Sequence, residues 1–225
     1  MAKFKKAQNL KLIDMSAKGN LEGVIEAINA GADVDAKDDE GFTALMWAVK
    51  NGRAEIVNAL IKAGAYVNAN GGTALIFAAM GGYIEIVKAL IEAGAFVNAK
   101  VNNNGTTALM FAVFKNNTEI INALIEAGTD VNGETNNGTT ALMQAASDGY
   151  TETVNALIKA GADVNAENDN GETALIFAGR NAQTEAVVAL VEAGADIKHK
   201  DNNGKTALDY ALENEKVKRF EELNK

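Results

Sequence analysis

Two amino acids are missing from this 225-residue chain, which contains neither cysteine nor proline. Without cysteine the chain has no disulfide, no thiolate metal ligand and no cysteine nucleophile. Ordinary proline usage near 5% would give about eleven residues in a chain of this length. The lack of proline fits either a biased natural sequence or an engineered one, and it leaves the origin of the chain open.

Histidine and serine, which carry much of enzyme chemistry, are almost absent. The chain has one histidine, His199, and two serines, Ser16 and Ser147, which lie far apart in sequence. A Ser-His-Asp arrangement is therefore not expected. A zinc site would have only carboxylates beside that single histidine. The composition predicts a protein that is not an enzyme and that has no cofactor and no metal.

Positive charge and long apolar runs are also scarce. Lys and Arg total 21 against 30 Asp and Glu, a net charge of -9, with no basic stripe that would neutralise phosphates. The longest apolar runs, 74–80 and 108–114, have seven residues, whereas a membrane-spanning helix needs roughly 20. The N-terminus lacks the apolar stretch of a signal peptide. We expect no nucleic-acid partner, no membrane partner and a cytoplasmic location.

The most informative feature is a tripeptide, Thr-Ala-Leu, that recurs six times at spacings of 30, 34, 33, 33 and 33 residues. It begins at Thr43, Thr73, Thr107, Thr140, Thr173 and Thr206. A glycine keeps step with it at Gly31, Gly64, Gly94, Gly128, Gly161 and Gly194. A fixed period near 33 is typical of a solenoid, in which each repeat stacks on its neighbours. The period therefore predicts a single elongated domain over 1–225.

Within one repeat the pattern predicts two short helices and a projecting segment. In 41–70, Thr43 caps a first helix whose buried face includes Leu45 and Val49, and Gly52 ends that helix. A second helix runs from near Glu55 to Gly64. After Val67 an extended polar segment, here called the finger, leads to the next turn glycine. Helices of about two turns are marginal alone, so stacking must stabilise them.

The same pattern sets the predicted boundaries. The internal repeats are 41–70, 71–104, 105–137, 138–170 and 171–203. Residues 1–40 form an N-terminal cap, and residues 204–225 form a C-terminal cap with a charged helix over 214–225. The more polar ends are those that stop a stack from continuing.

These residues closely resemble the ankyrin repeat. The resemblance is carried by Gly171-Glu172-Thr173-Ala174-Leu175-Ile176-Phe177-Ala178 and by Gly161-Ala162-Asp163-Val164-Asn165-Ala166. It implies an all-α solenoid of L-shaped helix-turn-helix units with projecting fingers, and a concave surface of first helices and fingers that binds other proteins. The family's proline is alanine throughout. The family's histidine is Met46, Ile76, Met110, Met143, Ile176 and Asp209, so apolar packing is expected in its place.

One side of the first helices is rich in aromatic residues. The residue two after the leucine of each Thr-Ala-Leu is Trp47, Phe77, Phe111, Gln144, Phe177 or Tyr210. Three residues further on, hence on the same side, are Lys50, Met80, Phe114, Ser147 and Arg180. The resemblance puts this side on the concave groove, where five apolar residues would form one surface. Alternatively, these rings pack between adjacent first helices and add stability.

Two irregularities fall in the same region of the sequence. The finger from Val67 to Gly71 is three residues shorter than its neighbours, and the finger from Val97 to Gly105 is one residue longer. Tyr66 and Phe96 stand where other repeats have aspartate. Because loops tolerate length changes at little cost, these changes fit either drift or a local binding site.

The predicted function is a non-catalytic, monomeric module that binds another protein. Its predicted hot spot is Phe42, Trp47, Phe77, Met80, Phe111 and Phe114. The predicted rim is Lys50, Lys115, Asp39, Glu40, Asn103 and Asn104. Two alternatives remain: an engineered or consensus-like scaffold with no natural partner, and a dedicated inhibitor or immunity protein that blocks one enzyme.

Overall fold

The structure, a computed structural model, describes residues 2–100 and 104–213, with side chains from residue 5 onward. The chain divides into two compact units, Met1–Val101 and Asn102–Lys225. They are called the N-terminal unit and the C-terminal unit and are described separately. The predicted rim residue Asn103 and the predicted capping helix over 214–225 lie outside the described residues.

The N-terminal unit contains three pairs of helices. They are α1 (Ala2–Lys18), α2 (Leu21–Asn29), α3 (Ala44–Lys50), α4 (Ala54–Lys62), α5 (Ala69–Gly81) and α6 (Ile84–Glu92). The first helix of each pair packs against the second. In addition, α3 contacts α1 and α5, and α4 contacts α2 and α6. The first helices thus form one layer of the stack and the second helices form the other.

The C-terminal unit repeats this arrangement. Its helices are α7 (Ala108–Phe114), α8 (Thr118–Glu126), α9 (Ala141–Asp148), α10 (Thr151–Lys159), α11 (Ala174–Arg180), α12 (Thr184–Glu192) and α13 (Ala207–Glu213). Helix α9 contacts α7 and α11, α11 contacts α13, and α10 contacts α8 and α12. In the described residues β-structure consists of isolated bridge positions, among them Lys37 with Thr43 and Glu134 with Thr140. The predicted all-α solenoid is confirmed.

The core lies between the two layers and follows the predicted stripes. The second helices α4, α6, α8, α10 and α12 each have one fully buried leucine, and α2 has Ala27 at this position; the leucines are Leu60, Leu90, Leu124, Leu157 and Leu190. Each of the first helices α3, α5, α7, α9 and α11 contributes a fully buried alanine, at Ala48, Ala78, Ala112, Ala145 and Ala178. The residues at the family's histidine position are buried at Met46, Ile76, Met110, Met143 and Ile176. At these five positions apolar packing takes the place of the family's histidine, as the sequence predicted.

The recurring threonine begins most of the first helices as an N-cap. The Oγ1 atoms of Thr43, Thr107, Thr140 and Thr173 each accept a hydrogen bond from the backbone N–H three residues later. This bond satisfies one of the N–H groups that a helix leaves unpaired at its start. Gly52 has a φ of 67°, the left-handed conformation predicted for the residue that stops α3.

The fingers of the C-terminal unit are joined by backbone hydrogen bonds between successive repeats. Asn136 N–H donates to the carbonyl of Asn104 (2.8 Å), and Asp169 N–H donates to that of Asn137 (3.1 Å). The next finger repeats the bond, from Asn202 N–H to the Asn170 carbonyl (3.0 Å). These bonds fix the spacing of the finger tips, so the loops form an ordered row.

The prediction of an extended finger over 67–71 is wrong. Asn70, Gly71 and Gly72 have left-handed φ values of 51°, 73° and 90°, so they form a tight non-helical turn within Ala69–Gly81 and are not extended. With three residues fewer, the chain turns within these positions and has no length for a projecting loop. The hydroxyl of Thr73 consequently donates to the Asn70 carbonyl (2.7 Å), a different role from the other capping threonines.

Candidate protein-binding surface

Four of the predicted site residues come together in the N-terminal unit. The ring centroid of Phe42 lies 5.2 Å from that of Trp47 and 5.8 Å from that of Phe77. All three rings are half-buried. The ammonium nitrogen of Lys50 lies 4.7 Å from the Trp47 ring centroid and 5.2 Å from that of Phe42, which is cation–π geometry. We call Phe42, Trp47 and Phe77 the aromatic cluster.

A finger carboxylate holds the aromatic cluster in place. Trp47 Nε1–H donates to Oδ2 of Asp38 (2.7 Å), while Oδ1 accepts from the backbone N–H groups of Phe42 (2.8 Å) and Glu40 (3.0 Å). Burial acts to raise the pKa of Asp38, but these donors together hold it below its ordinary value. Trp47 thus has a structural role, which supports the alternative that its ring adds stability.

The remaining predicted residues of the N-terminal unit are open to solvent. Met80 is 40% exposed at the end of α5. Asp39 and Glu40 are exposed at the tip of the finger, and Lys50 is exposed above the aromatic cluster. This unit therefore presents one apolar side chain and three charged ones around a cluster that is packed on itself.

In the C-terminal unit the predicted residues line a pocket. Phe111 is half-buried, and Phe114 is 61% exposed at the end of α7. The pocket has a volume of about 230 Å³. It is lined by Thr106, Met110, Phe111, Phe114, Thr135, Thr139, Thr140 and Gln144. Because most of these side chains present carbon atoms, we call it the apolar pocket.

The two predicted rim residues of this unit lie nearby. The ammonium nitrogen of Lys115 is 5.9 Å from the ring centroid of Phe114. Asn104 is exposed, and its Oδ1 accepts from the N–H of Thr106, which lines the apolar pocket. The structure therefore brings Phe111, Phe114, Lys115 and Asn104 into one neighbourhood.

A second, polar pocket shares Phe114. It is lined by Phe114, Ser147, Asp148, Tyr150, Asn181 and Gln183 and has a volume of about 640 Å³. Gln144 connects the two pockets, since it lines the first and its Nε2–H donates to Oδ2 of Asp148 in the second (2.6 Å). Phe114 therefore forms a ridge between an apolar and a polar depression.

These depressions lie beside two exceptions in the sequence pattern. Gln144 stands where the other first helices have an aromatic residue, and Ser147 stands where others have Lys50, Met80, Phe114 or Arg180. The smaller or more polar side chains leave space next to Phe111 and Phe114. The exception at Gln144 is visible in the sequence, but a pocket beside it could not be inferred without the packing.

Tyr210, the last aromatic residue of the series, is held by charged partners. Tyr210 O–H donates to Oδ2 of Asp201 (2.6 Å), and the guanidinium of Arg180 lies 4.2 Å from the Tyr210 ring centroid. Arg180 also forms an ion pair with the buried Glu172. Burial acts to raise the pKa of Asp201, but the Tyr210 hydroxyl and the N–H groups of Lys205 and Asn203 lower it to about 2.

A row of asparagines, which was not predicted from the sequence, links successive repeats. Asn68 Nδ2–H donates to the Gly94 carbonyl (2.9 Å), and its Oδ1 accepts from the N–H of Phe96 (2.7 Å). Asn132 and Asn165 make the same two bonds to the repeats that follow them. The signal was present, because an asparagine follows each of Gly64, Gly94, Gly128 and Gly161 by four residues.

Three further features of the described residues concern metal binding, the role of the single histidine and membrane-spanning helices. In residues 2–100 and 104–213 no group of three or more His, Asp or Glu side chains is placed to hold a metal ion. Nε2 of His199 lies 2.8 Å from the Gly171 carbonyl oxygen, so this imidazole joins two repeats. No helix in the described part of the chain is both long and apolar enough to cross a membrane.

Comparison with known proteins identifies the repeat. The family model described as "Ankyrin repeats (3 copies)" matches residues 12–101, 97–168 and 142–223. The ankyrin repeat domain of Bcl-3, described as a unique member of the IkappaB protein family, is 28% identical with a TM-score of 0.80, over 89% of this chain and 93% of that one. The human ASB11 ankyrin repeat domain is 27% identical with a TM-score of 0.77, over 89% and 90%. No curated protein sequence matches the chain.

Proposed function

We propose that this chain, which belongs to the ankyrin-repeat family, is a non-catalytic module that binds another protein through the exposed side of its first helices and its fingers. Family membership and the two similar domains support a protein-interaction module in general. The specific observation that carries the proposal is Phe114, an aromatic side chain that is 61% exposed beside the apolar pocket.

An exposed aromatic ring next to a pocket is a typical binding determinant. Aromatic side chains contribute large contact areas and are enriched among the residues that dominate binding energy. Nothing in the fold requires a phenylalanine at 114, since the equivalent residues are Lys50, Met80, Ser147 and Arg180. Exposed apolar residues grouped at one place mark interaction sites more often than those scattered singly.

The aromatic cluster of the N-terminal unit is proposed to contribute to binding as well. Its rings are packed on one another and tied to Asp38, so it offers a rigid platform with little entropy left to lose on binding. Lys50, which lies over the rings of Phe42 and Trp47, is exposed, and so is Met80 near the end of α5. We expect the cluster to contribute less than Phe114, because much of its apolar area is already buried.

The test is affinity capture with matched variants of the full chain. Wild type, Phe114→Lys and Val188→Lys are immobilised and exposed to extracts of the source organism, and bound proteins are quantified by mass spectrometry. Val188 is the control because it is 50% exposed on α12, in the layer of second helices. We expect one or more proteins to be retained by wild type and Val188→Lys and lost with Phe114→Lys.

Other outcomes would contradict the proposal. If no protein is retained by any form, the chain is better described as a stable scaffold without a natural partner. If the same proteins bind all three forms equally, the site lies elsewhere. An enzyme captured in stoichiometric amount and inactivated by the chain would assign the module the narrower role of an inhibitor.

A further inference from the structure

The size and lining of the apolar pocket suit one side chain. Its volume of about 230 Å³ is below the roughly 300–1,000 Å³ of pockets that take small-molecule ligands. Two of its threonine hydroxyls are already engaged, since Oγ1 of Thr140 accepts from Met143 N–H and Oγ1 of Thr135 accepts from Thr139 N–H. The pocket therefore favours a large apolar side chain.

A carboxylate lies next to this pocket without a cationic partner. Asp148 lines the polar pocket on the other side of Phe114 and accepts a hydrogen bond from Gln144, which lines the apolar pocket. Among the residues that the structure describes, Asp148 forms no ion pair. Lys115 lies beside the ring of Phe114, with its ammonium nitrogen 5.9 Å from the ring centroid.

Asp148 is also in a position where folding does not favour it. It is the last residue of α9, and a negative charge at a helix C-terminus is opposed by the helix dipole. The residues at the same position of the other repeats are Asn51, Gly81, Lys115 and Asn181, none of them acidic. The fold gives no reason for a carboxylate at this position, whereas a role in binding does.

The distribution of charge along the chain supports a basic partner. Residues 102–225 contain 19 Asp and Glu against 10 Lys and Arg, whereas residues 1–101 contain eleven of each kind. The whole net charge of -9 therefore resides in the C-terminal unit, which includes the apolar pocket and Asp148. Such a field attracts cationic segments and speeds their association.

We infer that the partner segment bound at Phe114 carries one large apolar side chain next to a lysine or arginine. The apolar side chain fills the pocket between Phe111 and Phe114, and the cation pairs with Asp148 on the other side of the Phe114 ridge. This inference rests on the proposed function, because it specifies the chemistry of the protein that the same site binds.

The first experiment uses a random-peptide display library selected on the full chain. We expect enrichment of peptides in which a Leu, Ile, Met, Phe or Trp neighbours a Lys or Arg. Binding of a purified selected peptide is then measured with wild type, Asp148→Lys and Glu152→Lys. Glu152 is the control because it is an exposed carboxylate on α10, so both variants change the net charge equally.

The expected results follow from the charge pairing. Asp148→Lys weakens binding roughly tenfold or more, Glu152→Lys changes it about twofold or less, and a peptide whose cation is replaced by glutamate binds Asp148→Lys better than wild type. Phe114→Lys prevents binding while its circular dichroism matches that of wild type. Asp148→Lys itself is compatible with α9, since a cation suits a helix C-terminus.

Three results would overturn the inference. They are the absence of any enriched peptide, enrichment without a neighbouring cation, and equal effects of Asp148→Lys and Glu152→Lys. If a protein whose capture depends on Phe114 binds Asp148→Lys and wild type with equal affinity, this inference fails while the proposed function stands. If sedimentation shows self-association that Phe114→Lys prevents, the occupant is a second copy of this chain, and the inference also fails.

Discussion

Asp38 and Trp47, nine residues apart, are joined by a 2.7 Å hydrogen bond from the indole Nε1–H to the carboxylate Oδ2. At the C-terminal end of the described residues Asp201 and Tyr210 repeat this relationship, with the same separation and a 2.6 Å bond. In each case a finger carboxylate holds an aromatic ring of the following first helix. The bond ties the loop to the helix layer, so the presented surface is fixed before any partner binds.

The bond to Asp38 predicts the cost of changing the only tryptophan. Trp47→Phe keeps a ring in the aromatic cluster but removes the N–H donor to a charged acceptor. We expect the free energy of unfolding to fall by about 1–2 kcal/mol, since hydrogen bonds to charged groups contribute about 1.5–3 kcal/mol and this site is only half-buried. Urea titration followed by circular dichroism measures it. No change in the midpoint would show that the bond adds nothing.

The lowered pKa of Asp201 predicts that the free energy of unfolding depends on pH in the acid range. Its pKa is lowered to about 2 in the folded chain, against about 4 when unfolded. The difference between these pKa values corresponds to at most about 2.6 kcal/mol, which solvent screening reduces to about 1–2 kcal/mol. This stabilisation is present above pH 4 and is lost as the pH falls towards 2. In Tyr210→Phe the carboxylate loses one donor, so we expect less loss of stability between pH 5 and pH 2. Tyr150→Phe, which removes no bond to a carboxylate, should behave as wild type.

The capping threonines predict unequal effects for one substitution. Thr140→Ala removes a side-chain acceptor from the N–H of Met143 and should lower the free energy of unfolding by about 1 kcal/mol. Thr73→Ala removes only the hydroxyl donor to Asn70 at an exposed kink and should cost about 0.5 kcal/mol or less. Equal costs in thermal or urea unfolding would indicate that both threonines have the same role.

The shortened finger predicts a strong difference between two adjacent glycines. A Cβ at Gly72 would lie 2.8 Å from Cβ of Ala99, whereas a Cβ at Gly71 meets nothing within 4 Å. Both residues have left-handed φ values, so Gly71→Ala should cost about 1 kcal/mol from backbone strain alone. Gly72→Ala adds the steric clash and should cost about 2–3 kcal/mol. Similar midpoints for the two variants would contradict the close packing at Gly72.

The repeat pattern predicted the fold because its signals are local and occur six times. Thr140 before an apolar triplet, Gly52 after a first helix and the stripe around Leu60 each act within a few residues. The family resemblance then supplied the stacking. The finger over 67–71 was predicted wrongly. Because it is three residues shorter than its neighbours, Asn70 adopts a left-handed conformation, and the residue types alone do not reveal this change.

The site was less predictable because it depends on contacts between repeats. The aromatic series identified Phe111 and Phe114, but not the pocket beside them, which also requires Thr135 from the finger of the same repeat and Gln144 from the next repeat. The bond from Trp47 to Asp38 was missed since it joins a ring to a loop carboxylate that also appears as part of an acidic run. Whether the aromatic residues of the two units form one continuous binding surface stays a prediction.

The central claim is that the exposed aromatic side of the first helices binds a protein. The most direct measurement is isothermal titration of the captured partner into the double variant Phe111→Lys with Phe114→Lys, beside wild type and Val188→Lys. The account predicts that binding is lost in the double variant, that Val188→Lys keeps it, and that all three have nearly the same helical circular dichroism. Undiminished affinity in a folded double variant would contradict the account.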